Sequence, residues 1–83
     1  MAHRDRQAII DEVASLSVKP GQRYQHYKTR GIYVVGKIVV LEANEEPAVA
    51  YYDQEFPELT WIRPYSDFTA QIDAQTTRFS LLS

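Results

Sequence analysis

Pro20-Gly21 divides the sequence into two stretches of different hydrophobic period. Before it, Ile9, Ile10, Val13 and Leu16 recur at helical spacing, which predicts a helix over residues 5–17 with Asp5 as its N-cap. Its apolar stripe is narrow, and about 13 residues are too few for a helix to be stable alone, so it must lie on something. After Gly21 the period becomes two. Tyr24, His26 and Lys28 alternate with Arg23, Gln25 and Tyr27.

The rest reads as short strands. Thr29-Arg30-Gly31 is a turn signal, and Ile32–Leu41 is a long Val/Ile-rich strand. It is apolar on both faces, which calls for cover on both sides, for instance by the helix. Gly36 in its middle marks a bend or bulge. Residues 43–47 form an acidic loop, Ala48–Gln54 a third strand and Phe56-Pro57-Glu58 a turn. Thr60–Arg63 is a fourth strand, ended by Pro64. Ser66 can cap a helical turn that carries Phe68 and Ile72, and Arg78–Leu82 is a closing strand. The expected fold is mainly β. It is a small antiparallel curled sheet or SH3-like barrel, with an N-terminal helix and a short helical turn near the C-terminus. Residues 1–19 read as a helical extension and residues 20–83 as the domain.

Composition then limits the function. A chain of 83 residues has room for one thin core. Six Tyr, three Phe and one Trp must supply much of it. With no cysteine there is no disulfide framework, thiolate metal site or thiol nucleophile, and a reducing, cytoplasmic setting is expected. No apolar run approaches the ~18–20 residues of a membrane span, and no signal-peptide core follows Met1. The net charge of −2 conceals a balance of +4 over residues 1–40 and −6 over residues 41–83. Cross-strand pairing is the plain expectation for such halves, and the lack of a basic excess disfavours nucleic acid.

Catalytic material is sparse. The two histidines are His3, near the chain start, and His26. A triad of His26 with Asp53 or Asp67 can be written on paper, but no nucleophile elbow or spacing supports it. The three glycines are isolated, so no phosphate-cradling loop is present. No catalytic residue, metal ligand or cofactor is assigned, and a hydrolase or transferase centred on His26 is the weakest reading.

Two clusters pair an aromatic with a cation. Tyr24, His26 and Lys28 share one strand face and could stack a flat ligand beside a proton-sensitive donor. Against this, a half-buried His often only satisfies the backbone. Trp61 and Arg63 share another face and could grip an anion. The favoured structural reading places Trp61 at the core's centre with Arg63 covering the rim. Tyr51 and Tyr52 point to opposite faces, and the sequence leaves open which is outward.

The order Lys19-Pro20-Gly21, Tyr24-x-His26-Tyr27-Lys28, Tyr33-Val34-Val35, Glu46-Pro47-x-Val49-x-Tyr51, Trp61-Ile62-Arg63-Pro64, Phe68 and Arg78-Phe79 resembles the bacterial family called domain of unknown function 1653. The resemblance spans about residues 19–82. The family pattern has a His-Ser-Glu-Thr-like stretch before the Glu–Pro pair, where this chain reads Leu41-Glu42-Ala43-Asn44. The resemblance implies a small β-rich cytoplasmic domain linked to a ligand or nucleic acid, and implies no reaction.

The leading expectation is a non-enzymatic binding module with Tyr24, His26, Lys28, Trp61 and Arg63 as ligand-binding residues. Its ligand would be small and anionic, nucleotide-like, or an unstacked base with its phosphate. The alternative is a protein-interaction or homo-oligomerisation domain, using a barrel edge and the N-terminal helix. No membrane partner is expected, and the chain would be a monomer or homodimer.

Overall fold

A computed structural model describes residues 4–83, so His3 lies outside the described residues. The order is α1 (Arg6–Ser15), β1 (Arg23–His26), β2 (Ile32–Val40), β3 (Pro47–Asp53), β4 (Phe56–Pro64), α2 (Tyr65–Phe68) and β5 (Phe79–Leu81). The strands form one antiparallel sheet in the order β4-β3-β2-β1-β5. The meander β1 to β4 is extended by β5, which returns to the free side of β1. The sheet does not close, because β4 and β5 remain its two edges.

Asp5 caps α1 by accepting a hydrogen bond from the Gln7 amide at 3.2 Å. The helix docks shallowly. None of its residues is buried, and Ile10 is 58% exposed. Polar anchors tie down the helix and the chain around it. Arg4 pairs with Glu12 and Glu45, and the Ser17 and Tyr65 hydroxyls lie 3.1 Å apart. Arg4–Glu45 is the ion pair among the described residues that joins the basic and acidic halves. Arg63 and Arg78 instead pair within the acidic half, with Asp67.

The core lies on one face of the sheet and is mostly aromatic. Phe68 from α2 stacks on Phe79 with centroids 4.2 Å apart, and Tyr24 and Tyr51 meet Phe68 edge-on. Tyr33 meets Tyr51 and Phe79 in the same way, and Val18, Val35 and Val49 fill the remainder. Val18 therefore draws the segment after α1 into the core.

Several boundaries differ from the sequence reading. The β3–β4 turn is Gln54-Glu55, not residues 56–58. Asp53 fixes it by accepting the Glu55 amide at 2.8 Å, and Pro57 is tolerated because β4 is an edge. Pro64, not Ser66, stands at the N-cap of α2, and α2 stops at Phe68 before reaching Ile72. The bulge falls at Gly36, between the paired positions Val35 and Lys37. No described helix is long and apolar enough to cross a membrane.

Candidate functional site

Strand register decides what shares the core face. Directly paired residues point to the same side of a sheet. The pairs His26–Phe79, Tyr24–Tyr33, Tyr33–Asp53, Tyr51–Trp61 and Val49–Arg63 therefore place all these side chains on one face. Helix α2 covers part of that face. The part beyond it is a concave cleft of about 400 Å³. Tyr33 and Tyr51 on the central strands form its floor. His26 and Phe79 stand on one flank, and Leu59, Trp61 and Arg63 on the other. Thr29 from the β1–β2 turn and the pair Asp53 and Phe56, which flank the β3–β4 turn, stand at its end.

Three of the five expected ligand-binding residues meet here: His26, Trp61 and Arg63. Trp61 is not the core's central residue. It lies on edge strand β4 and is 50% exposed, with no outer strand to cover it. Arg63 is the more enclosed of the pair, and its guanidinium is fixed on two sides. Nε donates to the Tyr51 hydroxyl at 3.2 Å, and Nη1 donates to Asp67 Oδ2 at 2.8 Å. Its Cζ lies 5.8 Å from the Phe79 ring centroid. The Tyr51 hydroxyl contact and then the Asp67 carboxylate hold this guanidinium above its ordinary arginine value, against the opposing cost of burial. Its Nη2 has no partner among the described residues and stays available to a ligand.

His26 ends β1 with its ring edge-on to Phe79, at 5.1 Å between centroids. Its Nδ1 accepts hydrogen bonds from the amides of Lys28 (3.1 Å) and Thr29 (3.3 Å). The neutral ring therefore carries its proton on Nε2. Burial first, then the charges of Arg63, Arg78 and Lys28, push its pKa below the ordinary 6.5. With Nδ1 occupied as an acceptor, no Nδ1–H is left for a carboxylate. The Asp–His pairing of a catalytic triad is thus not formed in this arrangement.

The other two expected residues sit elsewhere. Tyr24 is a core residue, 8% exposed, whose hydroxyl donates to Gln22 Oε1 at 2.9 Å. Burial, then Tyr65, raises its pKa. Lys28 is exposed in the β1–β2 turn, outside the lining of the cleft. The two tyrosines left open are settled: Tyr51 faces the core and Tyr52 the opposite face. Thr29 and Leu59 are cleft residues that the sequence did not single out, and Asp53, which the sequence offers only as a paper triad partner of His26, joins them; only the strand order brings the three together. Among the described residues no group of three His, Asp or Glu side chains could hold a metal ion.

The model of a family described as a protein of unknown function (DUF1653) matches residues 22–81. The chain belongs to this family. The match takes in all five strands and α2, and hence every residue that lines the cleft. The stretch Leu41–Asn44 falls in the β2–β3 turn, at the opposite end of those strands from the cleft. Neither a curated protein nor a solved structure gives a significant match to the chain.

Proposed function

We propose that this DUF1653 chain is a small non-enzymatic binding module whose cleft takes a flat anionic ligand of the nucleotide class. One observation carries the reading. A half-exposed indole, a guanidinium held on two sides and an imidazole line the same concave surface. Trp61 offers a stacking face worth ~1–3 kcal/mol per base. Arg63 Nη2 and His26 Nε2–H offer donors to an anion, and the geometry of Arg63 is already fixed before a ligand arrives.

Trp61 is the only tryptophan, so fluorescence reports this site alone. Titration with AMP should change its emission saturably. Inorganic phosphate, which lacks a base, should bind more weakly. Trp61→Ala should lose AMP binding by calorimetry, whereas Ile62→Thr, on the opposite face of β4, should retain it. No change at millimolar AMP would defeat the proposal.

The edge at β4 supports a second reading, an interaction or homo-oligomerisation domain. Phe56, Leu59, Trp61 and Ile62 are all exposed along this one edge strand. Sedimentation equilibrium tests it. A dimer that Thr60→Pro dissociates supports this reading, and a monomer at all concentrations excludes self-assembly.

A further inference from the structure

His26 does more than face the cleft, because it also closes the turn that forms one end of it. The chain between β1 and β2 turns through Tyr27–Gly31. The His26 amide donates to the Gly31 carbonyl at 3.0 Å, and the Arg30 amide donates to the His26 carbonyl at 3.0 Å. Arg30 lies in the left-handed region, at φ 64°, which a side-chain-bearing residue adopts only at a cost. Inside the turn, the Lys28 and Thr29 amides both point at one atom, His26 Nδ1. Thr29, held this way, then accepts the Gly31 amide on its own hydroxyl at 3.2 Å. One imidazole lone pair thus organises a turn that contains a strained residue.

That lone pair exists only while the ring is neutral. An imidazolium has two N–H donors and no acceptor. Protonation would set the Nδ1–H against two amide N–H groups, and all three would be donors. We propose that His26 is a proton-operated clasp. Neutral, it holds the β1–β2 turn closed against the cleft; protonated, it releases residues 28 and 29 and with them the Thr29 wall.

The surroundings favour the closed state at neutral pH. Phe79 of β5 packs on the ring, and so does Tyr27 of the turn itself, at 5.0 Å. The cations that act on it are Arg63 from β4, Arg78 from the approach to β5 and Lys28 from the turn. Tyr33, Tyr51 and Asp53 are the other titratable groups of the same cleft, and Asp53 is its carboxylate. Three cations against Asp53 and the Asp67 carboxylate that Arg63 and Arg78 share leave one positive charge over, which opposes a further one. The consequence for a ligand rests on the binding reading above. Release would remove one end of the cleft, so affinity would fall on acidification even though the ring gains charge. The clasp itself is measured without ligand, so its failure and that of the binding reading are distinct.

The test is nuclear magnetic resonance of the full chain from about pH 8 to about pH 5, spanning the usual titration range of histidine. At high pH the His26 ring nitrogens should show the Nε2–H tautomer. As the ring titrates, amide protection of Lys28 and Thr29 should fall about tenfold or more with the same midpoint, a tenfold change being one pH unit of linkage. Val35 and Val49 amides in the sheet should keep theirs. His26→Asn places a non-titrating acceptor where Nδ1 was. It should keep the two amides protected throughout, whereas His26→Phe should leave them unprotected at every pH. Protection that persists in the native chain through the His26 titration overturns the clasp. So does the same acid-induced loss in His26→Asn.

Discussion

Arg63 and Arg78 share a single carboxylate. Asp67 Oδ2 takes Arg63 Nη1 at 2.8 Å, and Oδ1 lies 3.5 Å from Arg78 Nη2. Asp67 sits on α2, four residues after Arg63, so the carboxylate ties the end of β4 to the approach to β5 across the short helix. Its backbone carbonyl adds a hydrogen bond from Arg78 Nε at 3.1 Å. A carboxylate with two guanidiniums leaves one positive charge over, and it lies beside the cleft.

Asp67→Asn keeps the shape and removes the charge. The side chains are partly exposed, at 29% for Arg63, 26% for Arg78 and 44% for Asp67, so solvent screens the pairs. The expected loss is about 1 kcal/mol, not the several that a buried pair would give. Urea unfolding should show a lower midpoint with an unchanged slope. A loss above about 3 kcal/mol would mean the network is more enclosed than its exposure indicates.

The fate of Trp61 marks where sequence reasoning reaches its limit. Period and punctuation located the elements: the helix before Pro20, the strand broken at Gly36 and the turn before Ile32 all follow from residues near one another in the chain. Strand order does not. Whether β4 is central or an edge depends on pairings between residues far apart in sequence. A lone tryptophan in a small chain therefore reads as core, although it lies on an edge. Misreading residues 56–58 as a turn has the same origin, since Pro57 breaks a central strand and not an edge strand. The pair Tyr51-Tyr52 was undecidable for a related reason: parity says they differ, and only pairing with Val35 and Trp61 says which is inside. Of the cleft, the aromatic–cation pair Trp61 and Arg63 and the single plausible imidazole were legible. Thr29, which arrives through a turn, was not, and Asp53 was legible only as a paper triad partner of His26.

Phe68 joins α2 to the sheet. It is 1% exposed and touches three other rings. Phe68→Ala removes the ring and leaves a cavity in a core that has little else, at a cost of about 3–5 kcal/mol. A domain of this size has on the order of 5–10 kcal/mol in total. Near-ultraviolet circular dichroism should show loss of aromatic packing at urea concentrations that leave the parent chain intact. Phe68→Leu, which retains most of the volume, should be distinctly milder. Equal loss in both variants would show that ring stacking and not volume carries the contact.

Two glycines should respond in opposite ways. Gly21 has φ +89°, and its amide donates to the Val35 carbonyl at 2.7 Å. A Cβ there meets nothing within 4 Å, so the cost of Gly21→Ala is conformational only. That places it at about 1 kcal/mol. Gly36 stands at the bulge but outside the left-handed region. An added Cβ there would lie 3.5 Å from the Ala50 carbonyl oxygen, an ordinary contact. Gly36→Ala should be neutral, or stabilising by up to about 0.5 kcal/mol, because it restricts the unfolded chain. The bulge thus follows from the pairing register and not from a demand for glycine. Thermal unfolding of the two variants side by side checks the contrast, which a loss above 1 kcal/mol in Gly36→Ala would refute.

Stability should also report on His26. Burial and neighbouring cations depress its folded-state value below the ordinary 6.5, so the unfolded chain binds the proton more readily than the folded one. Stability therefore rises with pH wherever the two states differ in bound protons. The contribution is complete above the unfolded value. It declines as pH falls from 6.5 toward the lower folded value, below which the ring is charged in both states. Urea midpoints should fall with acidification across that window. His26→Asn should flatten the slope there while keeping the acceptor for Lys28 and Thr29. Asp73 provides an internal contrast. The Gln75 amide first, then Thr76, hold its pKa below the ordinary carboxylate value. Its effect is confined to acid well below the histidine window, so Asp73→Asn should leave the slope near neutral pH intact. A slope that survives in His26→Asn would assign the dependence to another group.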